Sequence, residues 1–201
     1  LRLARFLGWR IDAAALAKQW EIGCEEAGRR ARYEIFEECL QEMGDCHGAI
    51  AVAHHRDDCA ETLLFHMFRG TGLDGMAGIR PVRKTERESM IIRPLLETGK
   101  TEIESFLQEK GISWRIDSTN TGEDYTRNRI RNRVLPYAEK EICSGAGAHL
   151  AKEAQLLAET ADFVRSCTRQ ALERCRVEAG ALKTNVCGRD RVEHVGRRKV
   201  N

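Results

Sequence analysis

The chain has 201 residues, 42% hydrophobic and 32% charged, a composition ordinary for a folded globular protein with one sizeable core and a smaller second unit. Its 33 basic and 31 acidic residues nearly cancel, so any nucleic-acid surface has to be a local patch. No stretch approaches the roughly 20 apolar residues of a membrane span, and no segment has the charged and apolar regions of a signal peptide. We therefore expect a cytoplasmic protein that does not associate with membranes.

The eight cysteines do not predict a metal site or a disulfide framework. No two of them form a CxxC pair, and a chain of this length does not need disulfides to be stable. We expect reduced thiols, among which Cys59 is notable because it lies inside a polar cluster.

The first half of the chain predicts alternating helices and strands. Apolar residues fall on one stripe of a helix that begins near Glu25. The short apolar run at 48–53 predicts a buried strand, which we expect to be central and parallel in its sheet. Helical spacing of apolar residues follows from about 57 to 69, and a second strand is predicted at 89–96. This alternation indicates an α/β fold.

The second half is predicted to be mainly helical. Residues 100–111 form an amphipathic pattern with Gly111 as its C-terminal cap, and a polar loop follows at 117–124. Beyond Gly145 a long amphipathic pattern continues to about Cys175. We therefore expect an α/β domain over residues 1–143 and a helical unit over residues 144–201.

Two histidines and three carboxylates lie where the strand at 48–53 ends and the next helix begins: His54, His55, Asp57, Asp58 and Glu61. Carboxylates in a first helical turn can act simply as caps, and zinc is a second alternative, although the CxxC or HExxH spacing typical of zinc sites is missing. Ligands bind at the carboxyl ends of strands in α/β sheets. We favour a third interpretation, in which these carboxylates hold Mg²⁺ against nucleotide phosphates or bind a substrate ammonium group.

The segment "GTGLDG" at 70–75 matches GxGxxG through Gly70, Gly72 and Gly75. A dinucleotide-binding fingerprint follows a strand and opens a helix, whereas a helix precedes these glycines, so we reject that interpretation. The segment is either a turn that ends the helix or a loop whose backbone N–H groups approach a ligand.

The segment "YTRNRIRNR" at 125–133 contains four arginines, two asparagines and no acidic residue. In a helix, Arg127 and Arg131 share one face, while Ile130 turns inward. Crowded guanidinium groups are unfavourable unless anions meet them, so we favour phosphate binding over a solvated run of charge.

Arg32, next to Tyr33 on the first predicted helix, is a further candidate for ligand binding. An exposed helix face explains this position equally well.

Four segments together resemble a known family: "EEAGRRARYEIF", "AHHRDDCAETLLFHMFRGTGLDGMAGI", "RPLLETGKTEIESFLQEKGISWRIDSTN" and "YTRNRIRNRVLP". They occur in the order and approximate spacing seen in the tRNA(Ile)-lysidine synthetase family of PP-loop (N-type) ATPases. The resemblance implies a doubly wound parallel sheet. It also implies an enzyme that uses ATP to adenylate the wobble cytidine of tRNA(Ile) with a CAU anticodon, after which the side-chain amine of L-lysine displaces AMP.

The resemblance implies roles for the candidate residues. Asp58 and Glu61 would hold the lysine ammonium and assist Mg²⁺ and the nucleotide, with Asp58 as the candidate magnesium ligand. Arg127 and Arg131 would stabilise phosphates or the adenylated intermediate. The other implied substrate and nucleotide contacts are Arg32, His54, His55, Gly70, Gly72 and Asn128. The implied cofactors are ATP and Mg²⁺, the partners are tRNA(Ile) and L-lysine, and a homodimer is allowed.

The chain departs from the family in two places. The SGGxDS pyrophosphate loop does not occur in it, and Cys59 stands where the family usually has glutamine. We expect an N-terminally truncated fragment that is inactive alone, with the start of a tRNA-binding region from residue 144. The alternatives are another PP-loop tRNA-modifying enzyme, such as a thiolase, and a non-catalytic RNA-binding remnant; the lack of CxxC pairs disfavours the thiolase.

Overall fold

The computed structural model describes residues 6–44, 48–85, 87–115, 126–177, 181–186 and 189–194. The chain divides into two compact units. Unit 1 is formed by Leu1–His54 with Pro81–Leu96, and unit 2 by His55–Arg80 with Glu97–Asn201. The polar loop predicted at 117–124 lies outside the described residues.

Unit 1 begins with two helices that pack against each other, α1 (Ala13–Trp20) and α2 (Cys24–Glu42). Asp12 caps α1, because its Oδ1 accepts hydrogen bonds from the backbone N–H groups of the first helical turn at 3.1 and 3.0 Å. Helix α2 starts one residue before the predicted Glu25 and buries Ala27 and Ala31 on its inner face.

The sheet of unit 1 has strands β1 (Ala49–Ala51), β2 (Val82–Lys84) and β3 (Met90–Ile92) in the order β1-β3-β2. Strands β1 and β3 are parallel, which confirms that prediction, and β2 is antiparallel to β3. The prediction of a central β1 is wrong for the described sheet, because β1 lies at its edge. The fold is α/β as expected, but this mixed sheet is not by itself a doubly wound parallel sheet.

Unit 2 contains three helices in its first part, α3 (Arg56–Arg69), α4 (Leu73–Met76) and α5 (Lys100–Glu109). Helices α3 and α5 confirm two predicted helices to within one or two residues. Helix α3 ends at Gly70, whose φ of 72° lies in the left-handed region that glycine adopts without strain.

A nearly continuous helical segment follows, in which two α-helical parts alternate with two π-helical parts. Its parts are α6 (Thr126–Arg129), the π-helical Ile130–Val134, α7 (Leu135–Tyr137) and the π-helical Ala138–Ile142. Pro136 lies within α7 and has no N–H to donate, which disfavours regular α-helical bonding to the preceding turn. The long helix α8 (Ala146–Arg174) comes next and confirms the predicted helix after Gly145.

Two apolar clusters form the core of unit 2 in the part of the chain that the structure describes. In the first, Ile130 and Leu135 pack with Ala60 of α3. In the second, Ala77 packs with alanines on the inner face of α8, Ala158 and Ala161. Small side chains on α8 therefore line its contact with the α4 region, whereas Leu150 of α8 packs against the first cluster.

Three short strands after α8 were not predicted from the sequence: β4 (Arg176–Val177), β5 (Ala181–Val186) and β6 (Arg189–His194). They form an antiparallel sheet in the order β4-β5-β6. The predicted domain boundary at residue 143 stays a prediction. Within the described part of the chain, no helix is long and apolar enough to cross a membrane.

Candidate active site

Two acidic and two basic residues singled out in the sequence come together in unit 2. Asp58 and Glu61 lie in the first two turns of α3, Arg127 lies in α6, and Arg131 lies in the π-helical segment after it. The two arginines flank Ile130, which is 2% exposed and belongs to the apolar cluster that includes Ala60 of α3. This apolar contact holds the two polar faces opposite each other.

Glu61 is the centre of the cluster. Its Oε1 accepts a hydrogen bond from Arg131 Nε at 2.6 Å, and its Oε2 accepts from Arg131 Nη2 at 2.8 Å and from Arg127 Nε at 3.1 Å. The contact with Arg131 is bidentate, the strongest arrangement for a guanidinium and a carboxylate. Glu61 is only 1% exposed, so its charge depends on these partners for stabilisation.

Asp58 combines a cap with an ion pair. Its Oδ2 accepts a hydrogen bond from the backbone N–H of His55 at 2.9 Å, which satisfies a donor at the start of α3. Its Oδ1 accepts from Arg131 Nη2 at 3.2 Å and from Arg127 Nη2 at 3.5 Å. The capping interpretation is therefore correct for Asp58, which also has a second role in the cluster.

The cluster pairs two carboxylates with two guanidinium groups and is therefore close to neutral. The hydrogen bond with Glu61 raises the pKa of Arg131 above its ordinary value, and the charges of Glu61 and Asp58 add to this against the opposing effect of burial. The two arginines are not equivalent, because the other contacts of Arg127 are longer, at 3.5 Å to Asp58 and 3.3 Å to Thr62 Oγ1. Arg127 is thus the more loosely held guanidinium.

Two more candidate residues lie close to the cluster in the chain. His55 precedes α3, with its Nε2 3.4 Å from Asp58 Oδ2 and its Nδ1 3.7 Å from Asp57 Oδ2. Asn128 follows Arg127 in α6 and is partly buried.

Gly70 and Gly72 lie in the turn between α3 and α4, so the turn interpretation of "GTGLDG" is correct for residues 70–72, whereas residues 73–75 belong to α4. His66 Nδ1 of α3 lies 2.6 Å from the carbonyl oxygen of Gly75, a contact that holds this turn. The approach of a ligand to this turn stays a prediction.

Arg32 and His54 belong to unit 1. Arg32 is exposed on α2, and His54 Nδ1 accepts a hydrogen bond from Arg93 Nε at 3.3 Å. Their roles as nucleotide or substrate contacts stay predictions.

Comparison with known proteins identifies the family. A family model described as a PP-loop domain matches residues 4–138. The chain belongs to the PP-loop domain family. It is 40% identical to the tRNA(Ile)-lysidine synthase of Caldanaerobacter subterraneus subsp. tengcongensis over 172 residues, which are 85% of this chain and 35% of that protein. It is 40% identical to the tRNA(Ile)-lysidine synthase of Chlorobaculum tepidum over 155 residues, 77% of this chain and 45% of that protein.

A third relative, the tRNA(Ile)-lysidine synthase of Solibacter usitatus, is 44% identical over 142 residues, 71% of this chain and 29% of that protein. These matches confirm the resemblance inferred from the four sequence segments. The chain spans less than half the length of each of these three relatives.

Paired with the two arginines as they are here, Asp58 and Glu61 do not fit a magnesium or zinc ion. Both oxygens of Asp58 already accept hydrogen bonds, from guanidinium groups and from a backbone N–H. Among the residues that the structure describes, no group of three or more His, Cys, Asp or Glu side chains could hold a metal ion. Cys59 is buried in α3 and forms no disulfide with another described cysteine.

Sequence reasoning missed the pairing between the two charged segments. It predicted phosphates as the anions for Arg127 and Arg131, whereas Asp58 and Glu61 fill that place in this structure. The sequence did contain a signal for this pairing. The segment around Asp58 and Glu61 has an excess of negative charge, and the segment at 125–133 has an excess of positive charge that can balance it.

Proposed function

We propose that the protein carrying this chain uses ATP to join L-lysine to the wobble cytidine of tRNA(Ile) with a CAU anticodon. The cytidine carbonyl oxygen would attack the α-phosphate of ATP and release pyrophosphate, and the lysine side-chain nitrogen would then displace AMP. The observation that carries this proposal is the cluster of Asp58, Glu61, Arg127 and Arg131. The similarity to three tRNA(Ile)-lysidine synthases supports the same reaction.

The two carboxylates divide the work by their exposure. The side chain of Asp58 is 12% exposed and that of Glu61 is 2% exposed, so Asp58 is the one that a substrate group can reach. We assign the lysine ammonium contact to Asp58, which also lies where it can take the proton that the ammonium loses before its nitrogen attacks. Glu61 then positions the two arginines.

The two arginines divide the work by how firmly they are held. Arg131 makes the bidentate contact with Glu61 and keeps the carboxylates in place. Arg127 makes the longer contacts, so its guanidinium can turn from Asp58 towards the phosphate group of the adenylated intermediate. The lysine ammonium would take its place beside Asp58, which keeps the buried charge balanced during the exchange.

The other candidate residues and the domain organisation belong to the same proposal. Arg32, His54, His55, Gly70, Gly72 and Asn128 are its candidate substrate and nucleotide contacts. The parallel pairing of β1 and β3 supports a doubly wound parallel sheet in the whole protein. We also propose a catalytic domain over residues 1–143 and a tRNA-binding part from residue 144. The protein is further proposed to form a homodimer. ATP is a substrate of the reaction, and no step is assigned to magnesium.

The test compares Asp58→Asn with Asp57→Asn in the whole protein that carries this chain. Lysine incorporation into a tRNA(Ile) transcript is measured against lysine concentration, with pyrophosphate release and the thermal midpoint measured in parallel. Loss of a charged partner of a charged group predicts that Asp58→Asn lowers kcat/KM for lysine by on the order of tens- to several-hundred-fold, with a raised lysine KM and, because Asp58 also takes the proton, a lower kcat. Asp57→Asn is the matched control, because it removes the same charge from the same helical turn. The Oδ2 of Asp57 accepts a hydrogen bond from the Lys100 backbone N–H at 3.2 Å rather than from the two arginines.

Pyrophosphate release without lysine should persist in Asp58→Asn, because adenylation precedes the lysine contact. A normal lysine KM together with a lower thermal midpoint would show that Asp58 is only a helix cap. Absence of lysine incorporation in the wild-type protein, with intact RNA binding, would favour an RNA-binding protein over the ligase.

A further inference from the structure

Unit 1 has a groove of about 610 Å³ whose lining includes none of the candidate residues described above. Its basic side chains come from two elements: Arg29 and Arg30 from α2, and Arg83, Lys84 and Arg87 from β2 and the turn after it. Tyr33 of α2 lies among them. The groove therefore combines positive charge with an aromatic ring, as nucleic-acid surfaces do.

Most of the charge in the groove is already compensated locally. Arg29 contacts Glu26 at 2.7 Å, Arg30 contacts Glu34 at 3.0 Å, and Lys84 contacts Glu88 at 2.6 Å, all within four residues along the chain. Two basic residues of the groove, Arg83 and Arg87 on its β2 side, take no part in these pairs.

Arg83 and Arg87 make no ion pair with a carboxylate within the ranges that the structure describes. The Arg83 guanidinium lies 5.7 Å from the centre of the Tyr33 ring, and that of Arg29 lies 5.9 Å from it. Contact with an aromatic ring orders a guanidinium without using up its hydrogen-bond donors. Arg83 thus retains donors that match the oxygens of a phosphate group.

A buried carboxylate at this groove favours RNA over other phosphate-bearing polymers. Glu37 is 5% exposed and lines the groove; its Oε2 accepts a hydrogen bond from Ser89 Oγ at 2.5 Å. Its Oε1 has no hydrogen-bond partner among the described residues. A buried acceptor without a donor is unfavourable, and the ribose 2′-hydroxyl of RNA is a donor that DNA lacks.

We propose that this groove binds the backbone of RNA, with Arg83 and Arg87 contacting phosphates and Glu37 accepting a hydrogen bond from a ribose hydroxyl. The inference rests on the proposed function only for the identity of the RNA, which is then the tRNA substrate. The groove shares no residue with the acid–arginine cluster of unit 2. Its contribution is to RNA affinity, so it acts on the KM for tRNA and leaves kcat unchanged.

The test measures binding of a fluorescent tRNA(Ile) transcript, without ATP or lysine, to the whole protein and to an Arg83→Ala/Arg87→Ala variant. Loss of two phosphate contacts should weaken binding about tenfold near 0.1 M salt and reduce the slope of log affinity against log salt by about 1.4. The double variant Arg83→Lys/Arg87→Lys keeps the charges without the guanidinium donors and should recover part of the loss. The control, Arg115→Ala/Arg169→Ala, removes two exposed arginines elsewhere and should change affinity less than about twofold.

A 2′-deoxy oligonucleotide of the same sequence and inorganic phosphate distinguish the sources of the phosphate. Weaker binding of the deoxy form, and failure of phosphate to displace the transcript, are the expected results. Equal binding of the two polymers, or displacement by phosphate alone, would overturn the assignment to RNA.

Unchanged affinity in the alanine variant would also overturn the proposal. If that variant also associates with itself, the function of the positive charges on the edge strand is to prevent aggregation. Because binding is measured without catalysis, the two proposals fail separately. A protein that binds through this groove but makes no lysidine contradicts only the proposed function.

Discussion

The two units use the same charged residue types in different ways. In unit 2, Arg127 and Arg131 reach carboxylates 66 to 73 positions away in the sequence, and the Glu61 side chain that they share is 2% exposed. In unit 1, Glu26 and Arg29 of α2 are three residues apart, and their side chains are about half exposed. The first set joins separate helices, whereas the second stays on one helix.

This difference decides what each set can do. Exposed pairs within a helix contribute little to folding, because water and salt screen them. Buried pairs between helices leave an uncompensated charge when one partner is removed, so they tie the site to the stability of the fold. The cluster of unit 2 is therefore a preorganised site, and the groove of unit 1 is a surface whose residues can change partners at little cost.

The largest expected effect compares Glu61→Ala with Glu26→Ala. Removal of Glu61 leaves two partly buried guanidinium groups without their main partner and should lower the free energy of unfolding by about 3 kcal/mol. Removal of Glu26 should lower it by less than about 1 kcal/mol, although its pKa is lowered by the hydrogen bond from Arg29. Urea denaturation at neutral pH measures both, and equal losses would contradict the distinction between the two units.

Local patterns made α3, α5 and α8 predictable from the sequence. Each helix has its apolar spacing and its terminal signals within a few neighbouring residues, as Gly70 and Gly111 illustrate with φ values of 72° and 64°. Strand β2 was missed because its three residues are all exposed and include Arg83 and Lys84, so it has no apolar alternation. Its place in the sheet comes from pairing with β3.

The pairing within the candidate site was not predictable for a related reason. The sequence shows that Arg127 and Arg131 share a helical face, but not which anions face them. If Glu61 were only a carboxylate of the first helical turn, its removal should lower the free energy of unfolding by about 1 kcal/mol. Because it is buried between two arginines, the expected loss is larger. Contacts across more than 60 positions depend on tertiary packing, here that of Ile130 against α3.

The second prediction concerns Glu139, an exposed carboxylate whose partners are backbone groups instead of arginines. It extends the comparison between buried and exposed charges. Glu139 accepts hydrogen bonds from the backbone N–H groups of Gly145 at 2.7 Å and Gly147 at 2.8 Å, at the start of α8. The bonds from Gly147 and Gly145 lower the pKa of Glu139 below its ordinary value. Because the folded-state pKa is the lower one, the stabilisation is present above the ordinary pKa and is lost as the pH falls through the folded-state value.

Glu139→Gln should therefore lower the free energy of unfolding at neutral pH, by no more than about 1 kcal/mol because Glu139 is exposed and water screens its charge, and the difference from wild type should shrink in acid. Thermal midpoints measured from neutral pH to about pH 3, below the ordinary glutamate pKa, test this. Glu141→Gln is the control, because Glu141 pairs with the exposed Lys140 at 2.9 Å. A loss that does not depend on pH would show that the charge of Glu139 is unimportant.

The smallest expected effect lies in unit 1 and concerns the backbone rather than charge. Glu21 ends α1 with a φ of 55°, and its N–H donates to the carbonyl oxygen of Ala17, so the position needs a left-handed residue. Glycine adopts this conformation without the strain of roughly 1–2 kcal/mol that other residues carry, although its greater freedom in the unfolded chain offsets part of the gain. Glu21→Gly should therefore raise the free energy of unfolding by about 0.5 kcal/mol.

Glu21→Ala removes the same charge but keeps the Cβ atom, so it should give no gain. If urea denaturation shows the same change for both variants, the side-chain charge matters more at this helix end than the backbone. Unit 1 would then depend on its exposed charges more than the contrast with unit 2 implies.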